Sequence, residues 1–597
     1  MQYVTRMLPW LLISISLLAA CSKDAPPATP APAPAPVESA VAAASGWPAF
    51  RETFIDEYLA ANPVQAVNLG KHEFDGQLPD NTPEGRAAYR AKVIDWMRRA
   101  TAIDGEAMSD DQRFEREYLL NDLGAELFWL DDVRYADRNP LAWGYAAFPS
   151  VYLTRDYAPL PERMDAFNTY LENLPGYLAD MRNTVKGPIP RTWAETSLAM
   201  FGGLDTFFAG PVNAIFADVD DAKRQARMTA ALDAAHQSLQ ETLTWLKGLE
   251  QDESFELGAE LFSRMLWKTE RVDTPLAELK AIGEADLARN LESMREACND
   301  FAPGLSLVDC AARAKRDKPP EGPVEGAKRQ LGLLRQFIVD NDIVTIPSDD
   351  PVTVDAAPPY NASNLAYIEI PGPYEKKLPA VYYIAPPDPS WSKEEQQRYL
   401  PGEGDLLFVS LHEVWPGHFL NYLHAKQSDS VYGRISVGYA FAEGWAHYTE
   451  EMMYDAGLGA GDPQTHIGQL TNALLRDVRY LSAIGLHTGE MSVEESEQMF
   501  IEKGMQDPGN ARQQAYRGTF DPAYLNYTMG KLMILKLRDD WTAGRGGRDA
   551  WKAFHDQFLS YGGPPIPMVR EAMLGGSDGE LFRPASGVPS IGTSEAE

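Results

Sequence analysis

Two histidines and a glutamate, His412, Glu413 and His418, follow a largely apolar stretch of the chain. That stretch, residues 406–411, predicts a buried helix. In zinc hydrolases two histidines on one helix face bind the metal, and a glutamate beside the first activates water. Those histidines usually stand four residues apart, whereas these stand six apart. On a regular helix of about 3.6 residues per turn, six residues rotate the second side chain by roughly 120° from the first.

Pro416 and Gly417 lie between the two histidines and offer a way to correct this rotation. Proline has no N–H to donate to the carbonyl group of His412, and glycine readily adopts unusual backbone dihedral angles. The pair therefore predicts a bulge that returns His418 to the face of His412. The alternative is that both histidines are ordinary polar groups at the end of a helix.

A third ligand is expected from a second helix, because catalytic zinc usually has three protein ligands and one open position. Glu443 is the best candidate. It shares a helix face with His447 and Glu450, while apolar residues occupy much of the remaining surface. A buried carboxylate is costly unless a metal or a cation compensates it, although Glu443 could instead face solvent. We predict a zinc site at His412, His418 and Glu443, with His447 in a supporting or structural role.

Helical periodicity dominates the chain from residue 47 onward and predicts the elements that position these residues. Apolar residues recur at helical spacing in residues 111–130, 276–297 and 327–341. Residues 366–370 and 380–384 are aromatic and β-branched and are separated by proline and glycine, which predicts a small sheet. A new helix is expected to begin near Asp405. The predicted fold is mainly α-helical, with a small β-sheet beside the metal-site helices.

The chain has 597 residues and a formal net charge of −32, which limits the classes of partner. Its hydrophobic content of 44% provides ample material for a globular core. The negative field repels polyanions, so nucleic acid is not expected as a partner. The acidity is better explained by solubility than by an attraction for basic substrates.

The N-terminal residues have the pattern of an export signal. Arg6 precedes an apolar run, residues 8–18, that is too short to cross a membrane comfortably. The stretch that ends at Cys21 resembles the lipobox of bacterial lipoproteins, in which the cysteine is lipidated; a plain secretory signal is the alternative. Because Ser22 rather than aspartate follows this cysteine, the resemblance implies an outer-membrane anchor that faces the periplasm or the cell surface.

The rest of the chain divides by composition. Residues 22–46 are rich in alanine and proline, which predicts an extended tether after a signal segment at residues 1–21. Residues 47–597 are then the catalytic domain. Within it, the spacing of Cys298 and Cys310 suits a short disulfide loop in an oxidising compartment. Two buried free thiols are the alternative.

Two motifs together resemble a known family: His412-Glu413-x-x-Pro416-Gly417-His418 and Glu443-Gly444-Trp445-Ala446. They are similar to the bacterial domain-of-unknown-function family 885 (DUF885), which belongs to the gluzincin clan of zinc peptidases. The resemblance covers most of the chain after the tether, strongly at the motifs and diffusely elsewhere. It implies that the two histidines and Glu443 bind zinc, that Glu413 is the general base, and that the fold is like that of thimet-oligopeptidase-like enzymes.

Two later stretches also resemble this family. Residues 479–487 are similar to a segment that ends in a histidine, here His487, although Ala483 stands where aspartate is common. Residues 522–531 are similar to a C-terminal helix with a Tyr-x-x-Gly pattern, which falls on Tyr527. A tyrosine hydroxyl or an imidazolium can donate to the oxyanion that amide hydrolysis creates, so both residues are candidate donors. For Tyr527, an ordinary core tyrosine is the alternative.

Three further residues are candidates for substrate binding. Arg479 could hold a substrate carboxylate through two parallel hydrogen bonds, although a structural ion pair would use the same residue type. Residues 380–384, which include Tyr382 and Tyr383, resemble the clan's edge strand that pairs with an extended peptide.

These observations predict a zinc metallopeptidase, anchored to a membrane at Cys21, that cleaves peptides with water activated by Glu413. One alternative is a zinc amidohydrolase that acts on cell-wall fragments or other small amides. Another is a catalytically silent lipoprotein that retains zinc. The intact Glu413 favours an enzyme, because a structural zinc site normally closes with four protein ligands and has no use for a base.

Overall fold

The computed structural model describes residues 46–358, 361, 365–375, 378–387, 391–576 and 579–583. The predicted signal segment with Cys21 lies outside the described residues, as does the predicted tether up to residue 45. None of the described helices combines the length and the apolar composition that a membrane span requires.

The described chain is mainly α-helical, as its periodicity predicts. The helices of the first part are α1 (Trp47–Ala61), α2 (Pro63–Asn68), α3 (Pro83–Thr101), α4 (Asp110–Phe128), α5 (Tyr135–Arg138), α6 (Pro140–Ala146), α7 (Ser150–Thr154), α8 (Leu160–Thr184), α9 (Arg191–Phe208) and α10 (Ala222–Gly248). Those of the middle part are α11 (Ala259–Glu270), α12 (Leu276–Phe301), α13 (Leu307–Ala314) and α14 (Pro323–Asp340). The predicted helical segments 111–130, 276–297 and 327–341 correspond to α4, α12 and α14.

The last part of the chain contains the helices that carry the predicted site. They are α15 (Lys393–Tyr399), α16 (Glu403–Glu413), α17 (His418–Lys426), α18 (Tyr439–Asp455), α19 (Pro463–Thr488), α20 (Val493–Glu502), α21 (Pro508–Phe520), α22 (Asn526–Thr542), α23 (Trp551–Ser560) and α24 (Ile566–Leu574). The helix expected near Asp405 is α16. Local polar residues start several of them: the Asp462 side chain, for example, accepts from the first free N–H groups of α19.

Two small sheets complete the described fold. β1 (Ile189–Pro190) pairs in parallel with β2 (Gln251–Asp252). The second sheet contains β3 (Val352–Ala356), β4 (Ala366–Glu369) and β5 (Ala380–Ile384), in the order β3-β5-β4. β3 runs parallel to β5, whereas β4 runs antiparallel to it. The two predicted strands are confirmed, but the prediction that residues 380–384 form an edge strand is wrong, because β5 has a strand on each side.

Glycine residues allow close helix crossings in the core around the last helices. A Cβ atom on Gly468 of α19 would lie 2.5 Å from the backbone of Gly404 on α16. A Cβ atom on Gly444 of α18 would lie 2.5 Å from the Cα atom of Gly530 on α22. A larger residue would force these helices apart. α19 also packs along α12 and is buried over most of its length, so it lies at the centre of this group.

Cys298, in the last turn of α12, forms a disulfide with Cys310 of α13. Both residues are buried. The structure therefore selects the disulfide over the two free thiols that the sequence also allowed. The bond joins the end of a helix in the central group to a short neighbouring helix.

Replacing both cysteines, Cys298→Ala with Cys310→Ala, should lower the free energy of unfolding by about 3 kcal/mol, because a disulfide that closes a short loop restricts the unfolded chain. Denaturant unfolding of the oxidised wild type and the variant would measure the difference. Wild-type protein under reducing conditions is the control and should approach the stability of the variant. Equal stability of the oxidised wild type and the variant would contradict this expectation.

Candidate metal centre

The two histidines of the motif lie on different helices, because α16 ends at Glu413 and α17 begins at His418. Gly417 makes the break: its N–H donates to the Leu411 carbonyl group at 3.0 Å, and a Cβ atom on it would overlap the carbonyl oxygen of His412. The predicted bulge within one helix is thus a break between two. Its effect on His418 is the one expected, since the ring centres of His412 and His418 lie 4.8 Å apart.

Glu443 reaches these histidines from α18. The crossing at Gly444 brings α18 against α22, and Trp445 donates its Nε1–H to the carbonyl oxygen of Pro416 at 2.8 Å. The hydrogen bond ties α18 to the turn between the two histidines. The Glu-Gly-Trp motif therefore combines a candidate ligand, a close helix crossing and an anchor for the turn.

The three side chains converge on one point. The Nε2 atoms of His412 and His418 lie 3.3 and 3.2 Å from Oε2 of Glu443, and the three atoms all lie within 4.8 Å of one another. Ligands at about 2.0–2.1 Å from a tetrahedral zinc ion stand about 3.3 Å apart, so this spacing fits zinc. Glu443 Oε2 is shielded from solvent and faces the two imidazole nitrogens. A metal ion would satisfy this atom.

The electrostatics of the cluster favour a positive charge. Burial raises the pKa of a carboxyl group, but His418 and His412 hold the pKa of Glu443 well below its ordinary value, so the group stays ionised. Burial and Arg476 lower the pKa of His412, whereas contacts with Glu443 and Glu450 raise it to about 9. A metal ion would displace this proton, because it binds the neutral imidazole. The carboxylates that favour a proton here would also favour a metal cation.

Glu450 orients His412 from the side away from the cluster. Its Oε1 atom lies 2.7 Å from Nδ1 of His412 and 3.3 Å from Nη2 of Arg476. Its Oε2 atom lies 3.3 Å from Nδ1 of His447. Burial raises the pKa of Glu450, but Arg476 and the histidines lower it below its ordinary value. A carboxylate in this position fixes the orientation and the tautomer of a metal-binding histidine.

Glu413 is the last residue of α16 and follows His412 directly. Its carboxylate makes no hydrogen bond or ion pair with any of the side chains that the structure describes. Burial raises its pKa, and the nearby His412 and His418 only partly offset this effect. An unpaired carboxylate with a raised pKa beside a candidate metal site suits proton transfer.

Tyr527 of α22 packs nearly parallel to His412, with the ring centres 6.2 Å apart. Its hydroxyl oxygen lies 3.5 Å from Nη2 of Arg517, which donates to it. Burial and the charge of Glu443 raise its pKa, so the hydroxyl keeps its proton. The neighbouring Tyr439 instead donates its hydroxyl hydrogen to Asp521 at 3.0 Å. Tyr527 therefore retains a hydrogen that it can donate to a ligand.

Arg479 lies about one turn after Arg476 on α19. Its Cζ atom lies 4.8 Å from the centre of the Tyr527 ring, and its Nε donates to Oε1 of Gln514 at 2.8 Å. Of the residues predicted outside the metal cluster, Arg479 and Tyr527 are thus brought to its surroundings.

His487 is not brought to the cluster. It is fully buried near the end of α19, where its ring stacks on Phe262 and its Nε2 lies 2.8 Å from the carbonyl oxygen of Gly518. Burial lowers its pKa to about 4, so the ring is neutral rather than an imidazolium. The structure therefore corrects the prediction of a donor at His487, which has a structural place in the core.

Tyr382 and Tyr383 lie on opposite faces of β5 and are both buried. The Tyr382 hydroxyl lies 3.4 Å from Oγ of Ser410 on α16, so this residue braces the helix that carries His412. Tyr383 packs against Tyr367 of β4, with the ring centres 5.2 Å apart. Both side chains are engaged within the protein, which corrects the prediction that they contact substrate.

A cleft of about 470 Å³ extends to Tyr422 of α17, which lies one helical turn after His418. Burial together with the charge of Glu443 raises the pKa of Tyr422 to about 12. Phe148 and Ile368 give the cleft an apolar surface, and Lys426 and Arg434 add positive charge. A cleft that combines apolar and polar surface in this way is suited to a small ligand or a peptide.

β4 is an edge strand in the described part of the chain, and it lines this cleft. The N–H of Ala385 donates to the carbonyl group of Leu365 at 2.9 Å, and hydrogen-bonded positions alternate along an antiparallel pair. The N–H and C=O groups of Ile368, which lines the cleft, therefore point away from β5. β4, rather than β5, is the strand of this sheet that could pair with an extended chain in the cleft.

Sequence reasoning did not assign Glu450 a role and did not find Arg476. Glu450 lies two helical turns after Glu443 on the same face, so the periodicity of α18 carried a signal for it. For Arg476 no such signal exists, because its contacts with Glu450 and His412 depend on how α19 packs against α16 and α18.

The fold and the site together define a mainly helical protein with a partly buried cluster of two histidines and one glutamate between its helices. The chain belongs to the family of bacterial proteins of unknown function DUF885, whose sequence pattern matches residues 63–573. This membership is the one that the motifs implied.

Two solved structures are similar to the protein in fold. A candidate lipoprotein of unknown function from Shewanella oneidensis is 22% identical, with a TM-score of 0.73, and the match covers 89% of this chain and 100% of that one. A candidate lipoprotein from Colwellia psychrerythraea is 16% identical, with a TM-score of 0.74, and the match covers 89% of this chain and 98% of that one. No curated protein sequence matches the chain.

The break at Gly417 provides a test of the metal centre. Gly417→Ala should weaken zinc binding by more than about tenfold, because the added Cβ atom would displace the turn that positions His418. Competition with a chelating indicator would measure the affinity. The matched control is Gly332→Ala on α14, where no atom lies within 4 Å of the added Cβ atom, and it should bind zinc as the wild type does. Unchanged affinity in Gly417→Ala would argue against this geometry.

Proposed function

We propose that this protein is a zinc-dependent peptidase of the gluzincin type. The proposal is carried by the convergence of His412, His418 and Glu443 on one point, with the unpaired Glu413 beside them. Two imidazoles and one carboxylate are a ligand set of catalytic zinc sites, which leave one position open for water. A structural site would normally have a fourth protein ligand, and no other described His, Cys, Asp or Glu residue joins this group.

Zinc, when bound by these residues, supplies a Lewis acid that acidifies water and polarises a carbonyl group. Glu413 accepts the proton of the attacking water at its carboxylate and returns it to the leaving amine. The hydroxyl group of Tyr527 donates a hydrogen bond to the oxyanion. Glu450 holds the His412 ring so that its Nε2 faces the cluster.

The cleft supports a peptide as the substrate. The main-chain groups of Ile368, which point away from β5, can pair with an extended chain whatever its side chains are, and the apolar part of the lining can bury some of those side chains. We further propose that a lipid on Cys21 anchors the protein and that the catalytic domain faces the periplasm. This part of the proposal is supported by the resemblance to a lipobox at Cys21 and by the two similar solved structures, both of candidate lipoproteins.

Glu413→Gln should abolish peptide hydrolysis and leave zinc bound, because glutamine keeps the shape of the side chain but cannot accept the proton. Mass spectrometry of a random peptide library, together with metal analysis of the purified protein, would measure both properties. Wild-type protein treated with a chelator should be inactive and should regain activity when zinc is added.

The same assay separates this function from its rivals. Cleavage of small amides or cell-wall muropeptides without cleavage of library peptides would point to an amidohydrolase. Zinc binding without cleavage of any of these substrates would point to a silent lipoprotein. Full peptide hydrolysis by Glu413→Gln would rule out Glu413 as the base.

Tyr527→Phe should lower kcat about 100-fold, with zinc affinity unchanged, because it removes one hydrogen-bond donor to the oxyanion. Steady-state kinetics on a peptide that the wild type cleaves would measure this loss. Tyr439→Phe is the matched control: its hydroxyl already donates to Asp521, so its loss should be much smaller. Equal effects of the two substitutions would show that Tyr527 supports the fold rather than the oxyanion.

A further inference from the structure

Arg479 differs from the other arginines around the metal centre because it has no carboxylate partner among the described residues. Arg476 lies 3.3 Å from Glu450, and Arg517 lies 2.9 Å from Asp521. Arg479 is only 8% exposed, and its one hydrogen bond to a described residue runs from Nε to Gln514. None of the described residues accepts a hydrogen bond from its two terminal nitrogens, Nη1 and Nη2.

Such an arrangement is costly for the protein alone. A guanidinium group stays charged even when it is buried, and a buried charge without an opposite charge is destabilising. The stack on Tyr527 compensates part of this cost, since a cation is attracted to the face of an aromatic ring. The side chain is also held by Gln514 through Nε, which leaves the flat pair of terminal nitrogens free. That pair matches the two oxygens of a carboxylate.

The position of Arg479 relates this free pair to the metal centre. The Tyr527 ring contacts Arg479 on the one hand and packs nearly parallel to His412 on the other. The Tyr527 ring is therefore a shared neighbour of the guanidinium group and of a candidate metal ligand. A carboxylate bound at Arg479 would belong to a substrate residue close to the bond that is cleaved.

We propose that Arg479 binds a carboxylate of the substrate next to the scissile bond. This inference rests on the proposed function and names its substrate class: peptides that carry a negative charge beside the cleaved bond. Two sources have this chemistry, the free C-terminus of the peptide and the side chain of an aspartate or glutamate. The first source would make the enzyme remove residues from the carboxyl end.

Binding measurements on the full chain with zinc test this proposal without relying on turnover. Glu413→Gln serves as the background, so that bound peptides remain intact. Calorimetry would compare acetyl-Ala-Ala with its C-terminal amide, and acetyl-Ala-Glu-amide with acetyl-Ala-Gln-amide. The acid of one pair should bind about 10- to 100-fold more tightly than its neutral partner, as expected for a charge-assisted pair with two hydrogen bonds. The pair that shows the preference identifies the source of the carboxylate.

Adding Arg479→Met to this background should reduce the preference to about one, and Arg479→Lys should leave an intermediate value, because lysine keeps the charge but not the paired geometry. Lys280→Met is the matched control, since it removes a surface cation that is paired with Glu490 outside the cleft and should leave the preference unchanged. Each preference compares two ligands on one protein, so reduced stability of a variant does not imitate the effect. If the Arg479→Met variant does not fold, the reduced preference of the Arg479→Lys variant is the test of the proposal.

Two results would overturn the proposal: equal binding of acid and neutral ligand in both pairs, or a preference that survives Arg479→Met. The second result would show that the carboxylate binds the zinc ion or another cation. The experiment distinguishes failure of this proposal from failure of the proposed function. An Arg479-dependent preference in a protein that hydrolyses no peptide would support the carboxylate site and contradict the peptidase function. Peptide hydrolysis without the preference would support the peptidase function and contradict the carboxylate site.

Discussion

The carbonyl oxygen of His412 approaches Gly417 so closely that no side chain fits between them. This contact ends α16 directly after Glu413 and lets α17 start with His418, so that three chemically active side chains leave one short turn in converging directions. Trp445 holds the turn against α18 through its hydrogen bond to Pro416. The geometry of the candidate metal centre depends on this turn, because a continuous helix would direct the two imidazoles to different faces.

The centre also depends on charges that are paired across helices. Glu450 of α18 joins His412 of α16 to Arg476 of α19. Elsewhere between these helices, the fully buried Lys531 of α22 lies 2.6 Å from Asp286 of α12 and 3.4 Å from Glu451 of α18. Such contacts tolerate little displacement, because an ion that loses its partner inside a protein pays the full cost of burial. They hold the helices in one arrangement and thereby hold the ligands in place before any metal binds.

The features that sequence alone predicted are those set by neighbours along the chain. The helices follow from local periodicity, and the convergence of His412 with His418 follows from the Pro-Gly pair between them. The predictions that were wrong concern features that depend on residues far apart in the sequence. β3 alternates polar and apolar residues on a short segment, and only its parallel pairing with β5 shows that β5 is central. His487 was placed by resemblance, and its position among aromatic core residues appears only when α19 packs against α11.

The overall charge of −32 bears on how an acidic substrate could be recognised. At long range this charge repels anions, but salt at 0.1 M screens it beyond about 10 Å. A preference for a carboxylate must therefore arise at contact, from the paired nitrogens of Arg479, rather than from attraction at a distance. Tyr527 connects such a contact to the proposed chemistry, because the same ring packs against Arg479 and His412. α22 sets the position of this ring through its glycine crossing with α18, so one helix crossing relates the proposed carboxylate site to the candidate metal centre.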